Sequence, residues 1–531
     1  MHLQLATIPN VTQLAYMMAL VDAEKADQQK LLEYRNYYDG DQDVKLTDRQ
    51  REFLNTSADD EFRLNQCQTV VESLAERLGV IGFEPVAVDK VESDGGEIDT
   101  TRPGIVDFAN QLWESNRMDG AESEIYRQAA IDHVSYIVLD IDSATGEITF
   151  NHNDAYVSPE AGGDGEGVKL HYADKKRRGK PLFATKRWAI TNGTEAGAKR
   201  FFVVYYPDRI ERYYQDDRDT NNSGEFSEIG WREDVAEDGP MAGVWPQPWV
   251  DSAGQPLGLP VIEFKNGRQS ELSEVVPVQR ALNKSVVDLI AAADVAGFGI
   301  LFAAGWIPTS DGLQISTDDD GTVSSGNEPL QMEPGALFYT SNERGSLTRI
   351  NGDDLDRLIR TVDKWIISIA QVSRTPITNF QMFGQVPAEG TQRQLESGLL
   401  AKAAQRQLTY GNAWEDLIYL ARRVALGAPQ YSGGQVAGYG LPAYSAFDLG
   451  ELVRISTLWK EAATRSEKEH LETLEIKRSM GVPQQQIFIE MGYTAQQAEA
   501  FSAEMESQRV AGLAATLEAA PAVGDALEDD K

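Results

Sequence analysis

The chain has 531 residues, 41% of them hydrophobic, and a formal net charge of −34 at pH 7. This length exceeds what one hydrophobic core organises, so we expect several subdomains with ample core material. Affinity for nucleic acid depends on Lys and Arg that neutralise phosphates, and the acidity therefore argues against a sequence-reading DNA-binding protein. An acidic surface that serves solubility is one explanation of the charge, and the wall of a conduit through which DNA slides is another.

The single cysteine, Cys67, excludes an intramolecular disulfide framework. It lies on an amphipathic stretch with Val70, Val71 and Leu74, which predicts a buried structural thiol rather than a reactive nucleophile. The N-terminus has no basic region before its apolar residues, and no run approaches the roughly 18 apolar residues of a membrane span. We therefore expect synthesis in the cytosol and no membrane partner.

The first half of the chain predicts helices followed by a β-rich region. The predicted helices are Thr12 to Tyr38, which ends at the turn signal Asp39-Gly40, then Phe62 to Leu78, and two more that are centred on Leu112 and Ile125. The predicted strands are Tyr136 to Ile141, Glu147 to Phe150, Phe183 to Ile190, Arg200 to Tyr206 and Ile210 to Tyr214.

Two loops in the β-rich region allow more than one interpretation. The loop from Pro240 to Pro260 holds five prolines and two tryptophans, and it either covers its own sheet or packs on a neighbouring subunit. The run Lys175-Lys176-Arg177-Arg178, with Lys180, Lys186 and Arg187 nearby, is the local exception to the acidity. A nucleic-acid patch, a solvated hairpin and a contact with an acidic neighbouring subunit are its three interpretations.

Two amphipathic helices of matched length surround a strand-rich insert. The first, near Glu274 to Val295, tolerates Pro277 because this proline falls in the opening turn. The second, from Asp353 to Val372, keeps the three-and-four spacing of one apolar face. Helices that meet along such faces form a rigid rod, and we expect the insert Gly297 to Gly352 at its tip.

A loop and a third helix follow this pair. Pro376 and Pro387 limit helix on either side of the loop, while Thr391 with Gln394 has the spacing of a capping box. Beyond the third helix, Gly427 to Gly440 predicts a linker to a C-terminal helical unit, whose first helix is expected from Leu449 to Met480. The tail, Ala511 to Lys531, is predicted to be frayed.

Motifs of enzymes are incomplete in this sequence. The glycine-rich stretch Gly162 to Lys169 lacks the Gly-Lys-Ser/Thr of a P-loop and is interpreted as a flexible turn. The acidic triplet that begins at Asp318 lacks the bidentate Glu of a calcium loop. Three clustered histidines, His133, His152 and His171, fit no zinc spacing, so satisfied or exposed histidines are expected.

Five stretches of this sequence, in family order, resemble the portal proteins of tailed phages, in the SPP1-type branch common in actinobacterial phages. They are LLEYRNYYDGDQDVKL from Leu31, LNQCQTVVESLAERLGVIGF from Leu64, NGRQSELSEVVPVQRALNKSVVDLIAAAD from Asn266, MEPGALFY from Met332 and PITNFQMFGQVPAEGTQRQLESGLLAKAAQRQL from Pro376. The resemblance covers nearly the whole chain.

The resemblance implies an α+β portal fold. Its parts would be a wing at 1–265, a first stem helix at 266–296, a small α/β clip at 297–352, a second stem helix at 353–376, a tunnel loop at 377–390, a long wing helix at 391–426, a helical crown at 441–510 and a flexible acidic tail at 511–531. It implies a non-enzymatic protein without cofactor or metal, present in about twelve copies as a ring at one capsid vertex of the virion.

The implied partners are double-stranded DNA that passes through without sequence-specific binding, the terminase large subunit, the major capsid protein, the scaffold, and head-completion or adaptor proteins. Tunnel-loop residues expected to face DNA are Gln381, Met382, Phe383 and Gln385. Stem residues expected between subunits are Leu282, Val286, Leu289, Leu358, Val362 and Ile366. A cytosolic acidic enzyme of several domains, and a capsid or tail protein without a DNA channel, are the alternatives.

Overall fold

The structure is a computed structural model of the chain. It describes residues 20–42, 44, 64–86, 104–173, 179–190, 199–216, 231–236, 242–298, 300–304, 337–340, 346–350, 355–380, 389–450, 453–463, 467–493 and 495–518. Within these ranges the chain divides into two compact units, each with its own packing. The first unit combines Met1–Arg35, Val71–Glu271 and Glu396–Lys531, and the second combines Asn36–Val70 and Leu272–Leu395.

The fold is of the mixed α+β class. Among the described residues the α-helices are α1 Lys25–Asp39, α2 Cys67–Ala75, α3 Gly104–Ser115, α4 Met118–Asp132, α5 Val275–Phe298, α6 Leu355–Ser373, α7 Glu389–Gly427, α8 Glu467–Ser479, α9 Gln484–Glu490 and α10 Ala495–Glu518. The strands are β1 Val80–Pro85, β2 Val134–Ile141, β3 Ile148–Asn153, β4 Gly167–His171, β5 Phe183–Ile190, β6 Lys199–Tyr205, β7 Arg209–Asp216, β8 Arg232–Glu233, β9 Gln247–Pro248, β10 Val261–Lys265, β11 Ile300–Ala304, β12 Leu337–Thr340, β13 Ser346–Ile350, β14 Pro429–Ser432, β15 Gln435–Tyr439 and β16 Ile455–Trp459.

Most of the sheet structure belongs to the first unit. Its largest sheet has the order β4-β5-β6-β7-β8 with β9 paired to β7, and a second sheet has the order β10-β2-β3. The predicted strands of the β-rich region are thereby confirmed, and a turn through Ala144, Thr145 and Gly146 joins β2 to β3. In the second unit, β11 pairs in parallel with β12 and antiparallel with β13, as expected for a strand-rich insert.

Aromatic side chains fill the centre of the first unit. Trp414 and Tyr410 of α7 are fully buried, and both contact Phe264 of β10 at ring-centroid distances of 4.7 and 6.1 Å. Tyr126 of α4 stacks on Tyr410 at 5.1 Å. Burial of such large side chains supplies most of the hydrophobic stabilisation of a domain, so α7 is a central element of this unit.

The predicted first helix is interrupted. Ala23 and Glu24 are not helical, Glu24 has a φ of 68°, and α1 begins only at Lys25. The amide of Gln28 donates to the carbonyl oxygens of Val21 and Ala23, which gives these backbone groups partners outside a continuous helix. The predicted end is confirmed, because α1 stops at Asp39 and Gly40 follows with a φ of 90°.

The proline-rich loop covers its own sheet. Trp249 is buried and its indole N–H donates to the Gly258 carbonyl at 2.8 Å, while the indole of Trp245 donates to the Arg212 carbonyl at 2.9 Å. Strand β9, which lies in this loop, pairs with β7. The interpretation as a local cover is therefore confirmed for the described part, residues 242–260.

The predicted linker and the helix after it are corrected by the structure. Residues of the linker form the hairpin β14–β15, and Ala428, Leu441 and Tyr444 beside it are buried in the core of the first unit. Instead of a helix from Leu449, strand β16 forms here and pairs antiparallel with β1. A strand is favoured over a helix here because pairing with β1 satisfies the backbone hydrogen-bonding groups of both segments. The C-terminal helices begin at α8, and α10 extends to Glu518, within the predicted tail, because its Ala-rich sequence favours helix.

A buried carboxyl group lies at the start of β1. The carboxylate of Glu122 accepts hydrogen bonds from the Tyr126 hydroxyl at 2.8 Å and from the Val80 N–H at 3.0 Å. The Tyr126 hydroxyl in turn accepts one from the Trp414 indole at 2.8 Å. Burial raises the pKa of Glu122 to about 7, although the two hydrogen bonds oppose this shift.

We expect the stability of the first unit to fall as the pH rises through the pKa of Glu122. The folded pKa of about 7 exceeds the ordinary value of 4.5, so the stabilisation is complete below 4.5 and is lost as the pH passes 7. The difference between the two pKa values corresponds to a loss of roughly 3 kcal/mol in the free energy of unfolding. Glu122→Gln mimics the neutral carboxyl group at every pH. The melting temperature of this variant minus that of the unmodified chain should therefore be larger at pH 8 than at pH 5. An equal difference at both pH values would contradict the assignment.

Candidate functional site

The second unit is built around the helix pair α5 and α6. With 24 and 19 residues, these helices are roughly 36 and 28 Å long at about 1.5 Å per residue. They pack against each other, and the indole N–H of Trp365 on α6 donates to the Ser285 hydroxyl on α5 at 3.0 Å. The two helices predicted from the apolar spacing are confirmed, because burying an amphipathic stripe is what stabilises helices of this kind.

The predicted stem residues differ in burial within the single chain. Leu282 and Ile366 are buried, so these two side chains belong to the core of the protomer itself. The side chains of Val286, Leu289, Leu358 and Val362 are half-buried. Three other apolar side chains of α6 remain exposed, namely Ile359 at 45%, Ile367 at 39% and Val372 at 46%. Of these three residues, Ile359 lies on the apolar stripe that the spacing predicted, whereas Ile367 and Val372 lie off it, and none of the three was among the residues expected between subunits.

A buried polar cluster fixes the first part of α5 to the segment before α2. Gln279 and Asn283, one helical turn apart, are both buried. The Gln279 amide donates to the Leu64 carbonyl at 2.6 Å, and the backbone N–H of Gln66 donates to the Gln279 side-chain oxygen at 3.2 Å. Asn283 donates to the side chain of buried Gln42. Such clusters specify one arrangement of segments, since an unpaired buried amide is costly.

Cys67 begins α2 in the second unit and has the predicted structural character. It is completely buried, and burial raises the pKa of its thiol to about 12. The thiolate is the reactive form of cysteine, so this thiol is inert at neutral pH.

The loop after α6 lies between two well-defined ends. Helix α6 finishes at Ser373, the next residue Arg374 has a φ of 55°, and a short 3₁₀ turn covers Ile377–Asn379. Helix α7 begins at Glu389, close to the predicted start at Thr391. The four predicted DNA-facing residues, Gln381, Met382, Phe383 and Gln385, lie outside the described residues.

In the first unit, a buried ion network holds α7 to the segment that precedes α5 in the chain. Glu271 accepts hydrogen bonds from Lys402 at 2.6 Å and from Arg406 at 2.9 Å. Arg406 also donates to Asn266, whose amide donates to Glu271 at 3.1 Å. Burial alone would raise the pKa of Glu271, but Lys402 and Arg406 lower it overall, so the carboxylate is ionised.

Sequence reasoning missed this network. Lys402 and Arg406 are spaced four apart and lie on one face of α7, which was the signal available. Their partner lies about 130 positions earlier, and no local pattern connects Glu271 with them. Each of the three side chains is at most 9% exposed, so the network is enclosed rather than solvated.

The three clustered histidines have structural contacts in the described part of the chain, whereas the acidic triplet that begins at Asp318 lies outside the described residues. His133 lies 3.1 Å from the Asn266 carbonyl, His152 lies 2.7 Å from the Ser135 hydroxyl, and His171 lies 3.0 Å from Thr185. The expectation of satisfied histidines is confirmed. Within the described ranges, no group of three or more His, Cys, Asp or Glu is arranged to hold a metal ion.

The basic stretch of the wing is only partly described, since residues 174–178 lie outside the described ranges. Arg187 donates to Asp22 at 3.2 Å and to the Tyr156 hydroxyl at 2.8 Å, and it is therefore engaged within the protomer. Lys186 is half-buried with its ammonium 5.1 Å from the ring of Trp188, and burial lowers its pKa. These two cations are not part of a free nucleic-acid patch.

None of the described helices combines the length and the apolar character that crossing a membrane requires.

Comparison with known proteins matches almost the whole chain to one family. A family profile described as "Phage portal protein, SPP1 Gp6-like" matches residues 19–506. Portal proteins of Mycobacterium phages L5 and D29 are each 20% identical to the chain over 464 residues. Each of these alignments covers 84% of this chain and 82% of the relative.

Proposed function

Because this chain belongs to the SPP1-type family of phage portal proteins, which form the DNA channel at a capsid vertex, we propose that its described elements take the parts of a portal protomer. Portal proteins are structural rather than enzymatic, and the family implies an oligomeric ring in the capsid and a place in the virion. The observation that carries the proposal is the family match over residues 19–506. The helix pair α5 and α6 then forms the stem, and residues 297–352 form the clip.

We propose a ring of about twelve copies with the loop between α6 and α7 as the tunnel loop. DNA passes without sequence-specific contacts, and the charge of −34 suits passage because fixed cations in the wall would hold phosphates. The terminase large subunit and head-completion proteins dock on the clip, while the scaffold and the major capsid protein surround the ring.

Negative-stain images of the purified chain test the proposal directly. A ring with a central hole is expected. A monomeric mass in solution would favour the alternative of an acidic enzyme, and a closed shell or tube would favour a capsid or tail protein without a channel.

We propose that the uncovered apolar side chains of the stem lie between subunits. Ile359 and Ile367 are exposed in the single chain and lie about two helical turns apart on α6, and exposed apolar surface marks interaction sites. Rings arise from contacts of this kind when the same two surfaces meet around the circle. The half-buried residues Val286 and Val362 complete the surface, whereas buried Leu282 and Ile366 support it from within the protomer.

Ile367→Asp is expected to abolish ring assembly and to leave the protomer folded. An unpaired carboxylate buried between subunits costs several kcal/mol, and the cost recurs at every interface. Light scattering measures the assembly, and circular dichroism measures the fold. Ile476→Asp is the matched control, since Ile476 is 58% exposed on α8 and its change should leave the ring intact. Rings of unchanged mass in the Ile367 variant would contradict the proposed interface. Ile366→Asp does not make this distinction, because it damages the core of the helix pair.

A further inference from the structure

A groove of about 690 Å³ opens on the first unit, and no residue of the proposed stem, clip or tunnel loop lines it. Its walls are the turn between β2 and β3, strand β7, residues of the proline-rich loop, strand β14, and the segment that follows hairpin β14–β15. The floor is apolar in part, with Ile210, Trp245, Leu441 and Pro442 among the lining residues.

The charges in this groove are mainly negative. Asp140, Asp142 and Asp234 line it together with one cation, Arg212, whose guanidinium lies 3.7 Å from Asp140. Hydrogen bonds from the backbone N–H of Ala144 and from Thr145 lower the pKa of Asp142, so this carboxylate stays charged at neutral pH. Aspartates beside aromatic rings favour Lys and Arg, because the aliphatic stems pack on the rings while the charges meet the carboxylates.

An unsatisfied hydroxyl is a second, independent sign of a ligand. The hydroxyl oxygen of Tyr431, which also lines the groove, is buried and has no hydrogen-bond partner among the described residues. Buried polar atoms are nearly always paired in folded proteins. A guanidinium or ammonium group in the groove would supply the missing donor.

We propose that this groove receives the basic segment Lys175 to Arg178 of a neighbouring copy of the chain. The inference rests on the proposed ring, in which each protomer meets two others. This segment is the one run of four consecutive cations in a chain of net charge −34, which makes it the natural complement of an acidic groove.

The chain's own segment is the competing occupant. Lys180 follows the segment closely in the chain. Burial raises the pKa of Asp416 on α7, and the charge of Lys180 lies near enough to this carboxyl group to oppose the shift. Neither Lys180 nor Asp416 lines the groove. The neighbouring copy is therefore the better source of the segment.

Disulfide trapping between two differently sized copies tests this inference. One copy carries Asp234→Cys, and the other carries Arg177→Cys with a mass tag. Cys67 is fully buried and does not interfere. Because a disulfide requires Cα atoms within about 7 Å, mild oxidation of mixed rings should give a tagged heterodimer. The matched control replaces Asp234→Cys by Ile476→Cys, which should give at most one tenth of the product.

Three outcomes would overturn the inference. They are rings without the heterodimer, equal coupling to the control cysteine, and, in a chain with both cysteines, a disulfide confined to the same chain. The first outcome leaves the portal function intact, whereas absence of rings from the unmodified chain overturns the proposed function as well.

A charge exchange adds a readout of assembly. Arg177→Glu with Arg178→Glu should lower the salt concentration at which rings dissociate, and Asp234→Lys in the same chain should restore it in part.

Discussion

Replacing Glu271 by Gln is expected to lower the free energy of unfolding of the first unit by about 3–5 kcal/mol. The carboxylate is the shared partner of Lys402 and Arg406, at 2.6 and 2.9 Å, and all three side chains are almost fully buried. Loss of the negative charge leaves two buried cations without compensation, and this is much more costly than removal of the whole network. The variant should melt well below the unmodified chain, and proteases should cleave it faster.

Two comparisons make this prediction specific. Asp27→Asn removes an ion pair with Lys30 whose side chains are more than 60% exposed, and it should leave the melting temperature nearly unchanged. The combination of Glu271→Leu, Lys402→Met and Arg406→Leu replaces the charges with apolar groups and should recover part of the stability. A Glu271→Gln variant as stable as the Asp27→Asn variant would show that the network contributes little.

Replacing Gln381 and Gln385 by Lys is expected to slow or stall DNA packaging while ring assembly stays normal. The proposed tunnel loop carries amides and a large apolar ring between its two prolines but no cation, which suits a sliding duplex. Each added Lys would hold a phosphate that the moving DNA must then leave. The delay should be strongest at low salt and should diminish as salt rises, because screening and counterion competition weaken phosphate contacts. Packaged DNA per particle, measured against salt concentration, gives the result.

The control for this experiment adds the same charge elsewhere. Gln497→Lys with Gln508→Lys changes two exposed glutamines of α10, and packaging should proceed at the normal rate. Normal packaging by the Gln381 and Gln385 variant at low salt, in particles shown to contain it, would count decisively against a DNA-facing loop.

The sequence by itself predicted the elements that depend on local spacing. Helices α5 and α6 follow from apolar positions that recur every three or four residues, and the structure has them within a few residues of the expected bounds. Three strands of the largest sheet, β5, β6 and β7, follow from short apolar runs between polar turns, whereas β4 begins inside the stretch Gly162 to Lys169, which was expected to be a flexible turn. The portal family was also evident from the sequence, because the resemblance spans the chain in order, and the family match confirms it.

Contacts between distant segments were decided by the tertiary structure alone. Residues 455–459 were expected to be helical, yet they form β16 because β1, more than 300 positions earlier, offers an edge for pairing. The exposed positions Ile359 and Ile367 could not be separated from buried Ile366 by periodicity, since exposure depends on what packs against α6.

The same distinction applies to the charges. The sequence determined a strongly acidic chain with one basic run, but it could not indicate that Glu271 neutralises Lys402 and Arg406 in a buried site. It also could not indicate that three aspartates share a groove with the unpaired hydroxyl of Tyr431. A spacing pattern reports which face of a helix or strand is apolar, because that depends on neighbours within a few residues. Which ionic groups meet in the interior is decided only when segments far apart in the chain pack together, since burial makes an unpaired charge costly enough to select its partner.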